Sequence, residues 1–138
     1  MKQYFLYTIM ALSLLSCKEK TQEESFDKKT YEVVKETLEE KEKKNPTRFI
    51  AANHRDRKNL IGQTVVIVNL TNNATIATYK DIALKLSFFS KTNVKLDEGN
   101  ETVYETLKPG ETIKFKTKYF APKGTDSVAV KVMDAKAD

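Results

Sequence analysis

Apolar and polar residues alternate along most of the chain after Pro46, and this two-residue period restricts the fold more than any other feature. An apolar residue stands at every second position from Ile82 to Phe88, with polar or small residues between them. Successive side chains of a β-strand point to opposite faces of the sheet, so the pattern is typical of a strand with one buried face. We therefore predict a half-buried strand within residues 78–89.

The rest of this region repeats strand patterns between turn signals. Further strands are predicted at Thr47–Ala52, Gln63–Thr71, Thr102–Leu107, Glu111–Phe120 and Asp126–Met133. Turns are indicated by Asn72-Asn73, by Pro109-Gly110 at the spacing of a type II turn, and by Pro122 to Gly124. Short strands with frequent turns predict that residues 46–138 are all-β, an Ig-like antiparallel β-sandwich of about six to seven strands.

The opposite end of the chain carries an apolar segment. Lys2 precedes an apolar run from Tyr4 to Leu15, which is shorter than the helix of about 20 residues that spans a bilayer. A positive start, an apolar run of this length and a small residue, Ser16, before Cys17 are typical of an export signal. Residues 1–16 are therefore predicted to be a signal peptide.

The run Leu14-Leu15-Ser16-Cys17 resembles the lipobox of bacterial lipoproteins. The resemblance implies cleavage between Ser16 and Cys17, a thioether-linked diacylglycerol on Cys17, and acylation of the new amino terminus, for example with palmitate. Two alternatives remain, a general secretory signal with Cys17 merely near the cleavage site, and a cytosolic protein that opens on a buried strand. The charged residues after Cys17 look like those of Bacteroidetes-type surface lipoproteins. We expect a lipid-anchored outer-membrane protein that faces either the periplasm or the cell surface.

Residues 17–45 would then be the lipidated cysteine followed by a charged linker. This segment has little to bury and many charges, a composition that favours a solvated spacer. Thr30 to Lys44 is predicted to be partly helical and to end before Pro46, because the residue before proline disfavours the α region. The alternative is a helix that docks on a partner through a narrow apolar stripe of Tyr31, Val34 and Leu38.

Three elements of the β-region resemble FxLYD-type domains. They are Val68-x-Leu70-x-Asn72, the segment Tyr79 to Phe89, and Leu107-x-Pro109-Gly110 followed after four residues by Phe115. Family members usually have Gly at the position of Val68. The resemblance implies a β-sandwich module of an exported or membrane-anchored protein, and it supplies no catalytic residues.

Few residues offer catalytic or metal-binding chemistry. With one cysteine and one histidine, the chain forms no internal disulfide and no multi-thiolate or multi-histidine metal site. His54 lacks the accompanying motif of a catalytic base and is predicted to be an exposed loop residue. In the same predicted loop, Arg55, Arg57 and Lys58 are either simply solvated or bind an acidic polysaccharide or a lipid headgroup.

Three further groups are weaker candidates. Residues 97–101 gather acidic side chains around a glycine, but their spacing does not fit an EF-hand, and we predict an acidic hairpin tip. Phe89, Tyr104, Tyr119 and Phe120 would either pack in the core or contact a sugar or protein partner. Asp126-Ser127-Val128 looks like the short motif at which Bacteroidetes-type exported proteins are O-glycosylated, on Ser127.

The charge distribution bears on the partner. Residues 46–138 hold 15 Lys and Arg against 10 Asp and Glu, which gives +5, but no basic cluster is interleaved with aromatics, so nucleic-acid binding is disfavoured. We predict a non-enzymatic lipoprotein without cofactor or metal, displaying an interaction or envelope-assembly module that acts, for example, through an edge strand. The alternative is an accessory protein that binds carbohydrate, in particular an acidic glycan.

Overall fold

A computed structural model describes residues 37–138. Residues 37–44 are helical (α1), and after Asn45 a single turn of helix follows, α2 (Pro46–Phe49), with Pro46 in its first turn. The predicted signal peptide, Ser16 and Cys17 lie outside the described residues, as does the first part of the predicted linker.

Six strands follow the helices. They are β1 (Ile50–Lys58), β2 (Thr64–Asn72), β3 (Tyr79–Ser90), β4 (Lys95–Val103), β5 (Thr112–Tyr119) and β6 (Thr125–Ala137). One sheet, sheet A, has the order β1-β2-β5, and the other, sheet B, has the order β4-β3-β6. All pairs are antiparallel. The predicted all-β sandwich is confirmed.

The core lies between the two sheets and contains the alternating residues that the sequence predicts. Every second residue of β2 from Val66 to Leu70, and of β3 from Ile82 to Phe88, is at most 2% exposed. Apolar residues of β6, among them Val128 and Val132, complete the same cluster. Removing these side chains from water is the main source of stability for such a sandwich.

Two strand predictions are wrong in both limits, and the last strand continues beyond the predicted Met133 to Ala137. The first strand begins at Ile50 and continues to Lys58, so the predicted basic loop is a strand. The strand expected at 102–107 instead spans Lys95–Val103, which places the predicted acidic hairpin tip inside β4. The hairpin turn lies earlier, where Ser90 N–H donates to the Val94 carbonyl over 2.9 Å. Both strands lie at sheet edges, where exposed charged side chains are tolerated and obscure the alternation.

The turn predictions hold where glycine is required. Gly110 has φ +74°, and Glu111 N–H donates to the Lys108 carbonyl over 3.0 Å, as a type II turn requires. Gly124 likewise has φ +91° in the turn before β6.

The end of α1 differs from the predicted solvated spacer. Glu42 is 1% exposed, and its carboxylate accepts backbone N–H groups of Thr75, Ile76 and Ala77 over 2.7, 2.9 and 2.9 Å. The Glu42 carbonyl also accepts the buried Tyr79 hydroxyl over 2.9 Å. The charged composition did not reveal this, because the partners of Glu42 are backbone groups of the loop between β2 and β3. The folded domain therefore includes residues before Pro46.

Candidate binding face on sheet A

The outer face of sheet A is defined by the strand register. Even-numbered residues of β2 point into the core, so its odd-numbered residues and their partners form the opposite face. Val65 lies between Arg57 of β1 and Lys118 of β5. One step along the strands, Ile67 lies between Arg55 and Lys116 in the same way.

Toward the other end of the sheet this face carries less charge and more uncharged polar side chains. Asn69 lies between Asn53 and Lys114. In the next row, the hydroxyls of Thr71 and Thr112 hydrogen-bond to each other over 2.9 Å. Side-chain amides and hydroxyls thus continue the surface beyond the cations.

We call the face formed by these residues the basic face. It comprises the outward residues of β1 (Asn53, Arg55, Arg57), of β2 (Val65, Ile67, Asn69, Thr71) and of β5 (Thr112, Lys114, Lys116, Lys118). Its five cations have no carboxylate among them. Within residues 37–138 none of the five forms an ion pair, whereas lysines elsewhere, such as Lys85, Lys95 and Lys136, do.

Apolar surface on the basic face is recessed. Val65 is only 2% exposed although it points away from the core, and its register neighbours on either side are the long side chains Arg57 and Lys118. Ile67 is half-buried and borders a surface depression of about 370 Å³, which Arg55, Asp56 and Arg57 also line. The depression lies within the size range of small-ligand sites.

The basic face contains only part of the predicted basic site. Arg55 and Arg57 lie on it as alternate residues of β1, but Lys58 pairs with Thr64 and points to the other face. The lysines of β5 were missed as site residues. Their alternation with Ile113 and Phe115 was evident in the sequence, but adjacency to β1 residues some sixty positions earlier depends on the strand order.

His54 is not a loop residue and is bonded across the sandwich. Its Nε2 lies 2.7 Å from the carbonyl oxygen of Val128 in β6, so this nitrogen carries the proton and donates. Asp56 follows two residues later on the same side of β1, without a hydrogen bond to the imidazole in the described structure. His54 therefore links β1, an edge strand of sheet A, to β6, an edge strand of sheet B.

The aromatic residues that the sequence suggested as one candidate group lie in different environments. Tyr104 and Phe120 are 81% and 76% exposed, and they directly follow the last residues of β4 and β5 respectively. Tyr119 packs on Phe88 with ring centroids 5.4 Å apart. Its hydroxyl and that of Thr117 donate to Glu101, and burial together with Glu101 raises the pKa of Tyr119 well above its usual range.

The remaining predicted sites are exposed strand residues. Ser127 lies on β6 opposite Phe89 and is accessible. In the acidic segment, Glu98 binds Lys95 and Lys85 over 2.8 and 3.4 Å. No group of three or more His, Cys, Asp or Glu side chains that would suit a metal ion occurs among residues 37–138.

Comparisons with known proteins add no relative. No protein-family model, curated protein or solved structure matches the chain. Among the described residues, no helix has the length and apolar character needed to cross a membrane.

Proposed function

We propose that this chain is an outer-membrane lipoprotein of a bacterial cell envelope, and that its β-sandwich is a non-catalytic module that binds an anionic envelope component. The basic face carries the proposal. Five cations share one flat surface without an ion pair among residues 37–138, so their charge is available to a partner. Opposite charges on two surfaces favour association and orient the partners.

The anchor is supported by the lipobox-like run ending at Cys17. Lipid chains contribute about 0.8 kcal/mol per buried CH₂, so several chains on one residue hold a protein firmly at a membrane. The FxLYD-like elements agree with such a setting, since that family implies exported and membrane-anchored proteins. A non-catalytic role is supported by His54, whose Nε2 is occupied by the Val128 carbonyl.

Anchoring is tested by metabolic labelling with an alkyne-bearing palmitate analogue. We expect label on the mature chain and recovery in the outer-membrane fraction, and Cys17→Ser is expected to abolish both. Label that persists in Cys17→Ser, or an unlabelled wild-type chain, would contradict lipidation.

Binding is tested without the lipid, on the chain from residue 17 carrying Cys17→Ser. We expect it to sediment with isolated cell envelopes of the producing bacterium. The variant Lys114→Gln/Lys116→Gln/Lys118→Gln should bind at least about tenfold more weakly, because it removes one row of cations. The matched control Lys91→Gln/Lys95→Gln/Lys131→Gln removes the same charge elsewhere and should bind like the parent. Equal binding of the two variants would refute a role for the basic face.

A further inference from the structure

We infer that the anionic partner is a linear acidic polysaccharide that lies along the basic face. This inference rests on the proposed function and names the class of partner. The anionic groups of the polymer would lie on the cations of β1 and β5, and its hydroxyls would bond to the amides and hydroxyls of Asn53, Asn69, Thr71 and Thr112.

The arrangement of the cations fits a polymer better than a single anion. Lys114, Lys116 and Lys118 follow one another along β5, at intervals of about 6.8 Å for alternate strand residues. Arg55 and Arg57 form a shorter second row, which lies about 10 Å away because β2 separates β1 from β5. A small anion reaches one or two of these charges, whereas a chain with repeated charges reaches most of them.

The uncharged polar side chains of the face favour a sugar over a polyanion without hydroxyl groups. Asn53 and Asn69 offer amide donors and acceptors, and Thr71 and Thr112 offer hydroxyls, in the same plane as the lysines. A saccharide presents hydroxyls next to its carboxylates, so it uses both halves of the surface. An acidic polypeptide side chain presents carboxylate alone.

The depression beside Ile67 has room for one ring. Its two guanidinium groups, those of Arg55 and Arg57, have the planar donor geometry that binds carboxylates in a bidentate manner. Half-buried Ile67 supplies apolar surface for the C–H face of a sugar. Asp56 also borders the depression, but it pairs with core-facing Val66, so its carboxylate points to the other face of β1.

A membrane surface fits the basic face less well. Insertion into a bilayer requires protruding apolar side chains, but Val65 is only 2% exposed and Ile67 is half-buried. The strongly exposed apolar residues Leu60, Ile61 and Phe120 follow the ends of β1 and β5 and are not part of the paired strands.

The test is calorimetric titration of the same lipid-free chain with polygalacturonate, polyglutamate and anionic phosphatidylglycerol vesicles. We expect polygalacturonate to bind most tightly, and Lys114→Gln/Lys116→Gln/Lys118→Gln to weaken it at least about tenfold, with less than about a twofold change in the control Lys91→Gln/Lys95→Gln/Lys131→Gln. Asn69→Ala should weaken polygalacturonate binding but leave polyglutamate binding unchanged.

The outcomes separate this inference from the proposed function. Tighter binding of vesicles or polyglutamate than of polygalacturonate would overturn the polysaccharide, and so would the absence of binding by all three probes. In either case the proposed function stands if envelope binding still depends on the three lysines. If neither envelope nor probe binding responds to the lysine variant, both proposals fail.

Discussion

Glu42 is the residue through which α1 is joined to the sandwich. Desolvation by burial is the largest single influence and raises the pKa of its carboxyl, but the hydrogen bonds from Thr75, Ala77 and Ile76 together outweigh it and lower the pKa below the usual 4.5. The same burial and the nearby Glu42 charge raise the pKa of Tyr79 to about 12. At neutral pH the Glu42 carboxylate is thus charged and the Tyr79 hydroxyl is neutral.

Replacing Glu42 by Gln should cost about 2 kcal/mol in the free energy of unfolding at pH 7, because hydrogen bonds to a charged acceptor are stronger and an amide NH₂ would face N–H donors. The folded-state pKa of Glu42 is lowered, so the stabilisation is complete above 4.5, the unfolded value, and is lost as the pH falls through the folded value.

Urea unfolding of the parent chain and Glu42→Gln between pH 7 and about pH 3 checks both points. The difference between the two chains should shrink on acidification. A difference that is constant across this range would show that the charge of Glu42 contributes nothing.

Gly99 allows the ring of Tyr119 to approach β4. A Cβ atom at Gly99 would lie 3.0 Å from Cε1 and 3.1 Å from the hydroxyl oxygen of Tyr119, which is also held by Glu101. Gly99→Ala should therefore lower the free energy of unfolding by about 1–3 kcal/mol, a typical cost of overpacking. In a Tyr119→Leu background the ring is absent, and the same substitution should cost much less. Equal costs in the two backgrounds would contradict the steric role of Tyr119.

At the scale of elements, α1 contributes to the folded domain. Its Glu42 supplies acceptors for three backbone N–H groups of the loop between β2 and β3, and a carbonyl acceptor for Tyr79. A chain that starts at Pro46 leaves these donors without their protein partners, and those of Ala77 and Tyr79, which are buried, cost about 1–3 kcal/mol each when unsatisfied.

A chain that starts at Pro46 should therefore unfold at a lower urea concentration than one that starts at Thr37. Chemical denaturation of the two chains, with Glu42→Gln in the longer one as a third sample, checks this expectation. We expect the shortest chain to be the least stable and Glu42→Gln to be intermediate. Identical midpoints for the two parent chains would refute a structural role for α1.

The strands that the sequence predicts well, β2, β3 and β5, bury or half-bury every second residue. In β2 and β3 the core selects an apolar residue at every second position, so the period is visible in Val66 to Leu70 and in Ile82 to Phe88. The edge strands β1 and β4 bury few side chains, so their limits were misjudged. Contacts between distant elements, such as Glu42 with the loop after β2, leave no periodic signal.

The candidate site, too, could be predicted only in part, because it combines residues of strands that are distant in sequence. Arg55 and Arg57 were identified from local clustering, which also included Lys58, although the parity of β1 places Lys58 on the other face. The three lysines of β5 join the site only because β5 pairs with β2. The local sequence therefore identified some of the charged residues of the site, and the strand order determined which charged residues share a surface.

At the scale of the whole molecule, the excess positive charge is concentrated on one face. Residues 46–138 carry a formal +5, and the basic face alone holds five cations that form no ion pair within the part of the chain described. Lysines about 6.8 Å apart on one strand repel one another by roughly 0.6 kcal/mol per pair in water. The arrangement thus opposes folding slightly, as expected where a surface serves binding.

Removing the β5 lysines should consequently stabilise the free protein. We expect Lys114→Gln/Lys116→Gln/Lys118→Gln to raise the free energy of unfolding by about 0.5–1 kcal/mol at low salt, and expect the gain to fade above roughly 0.5 M salt as screening removes the repulsion. The control Lys91→Gln/Lys95→Gln/Lys131→Gln includes Lys95, which pairs with Glu98, and should gain nothing. Urea unfolding at two salt concentrations distinguishes these cases. Loss of stability in the β5 variant would mean that these lysines support the fold, and their unpaired charge would no longer indicate a binding surface.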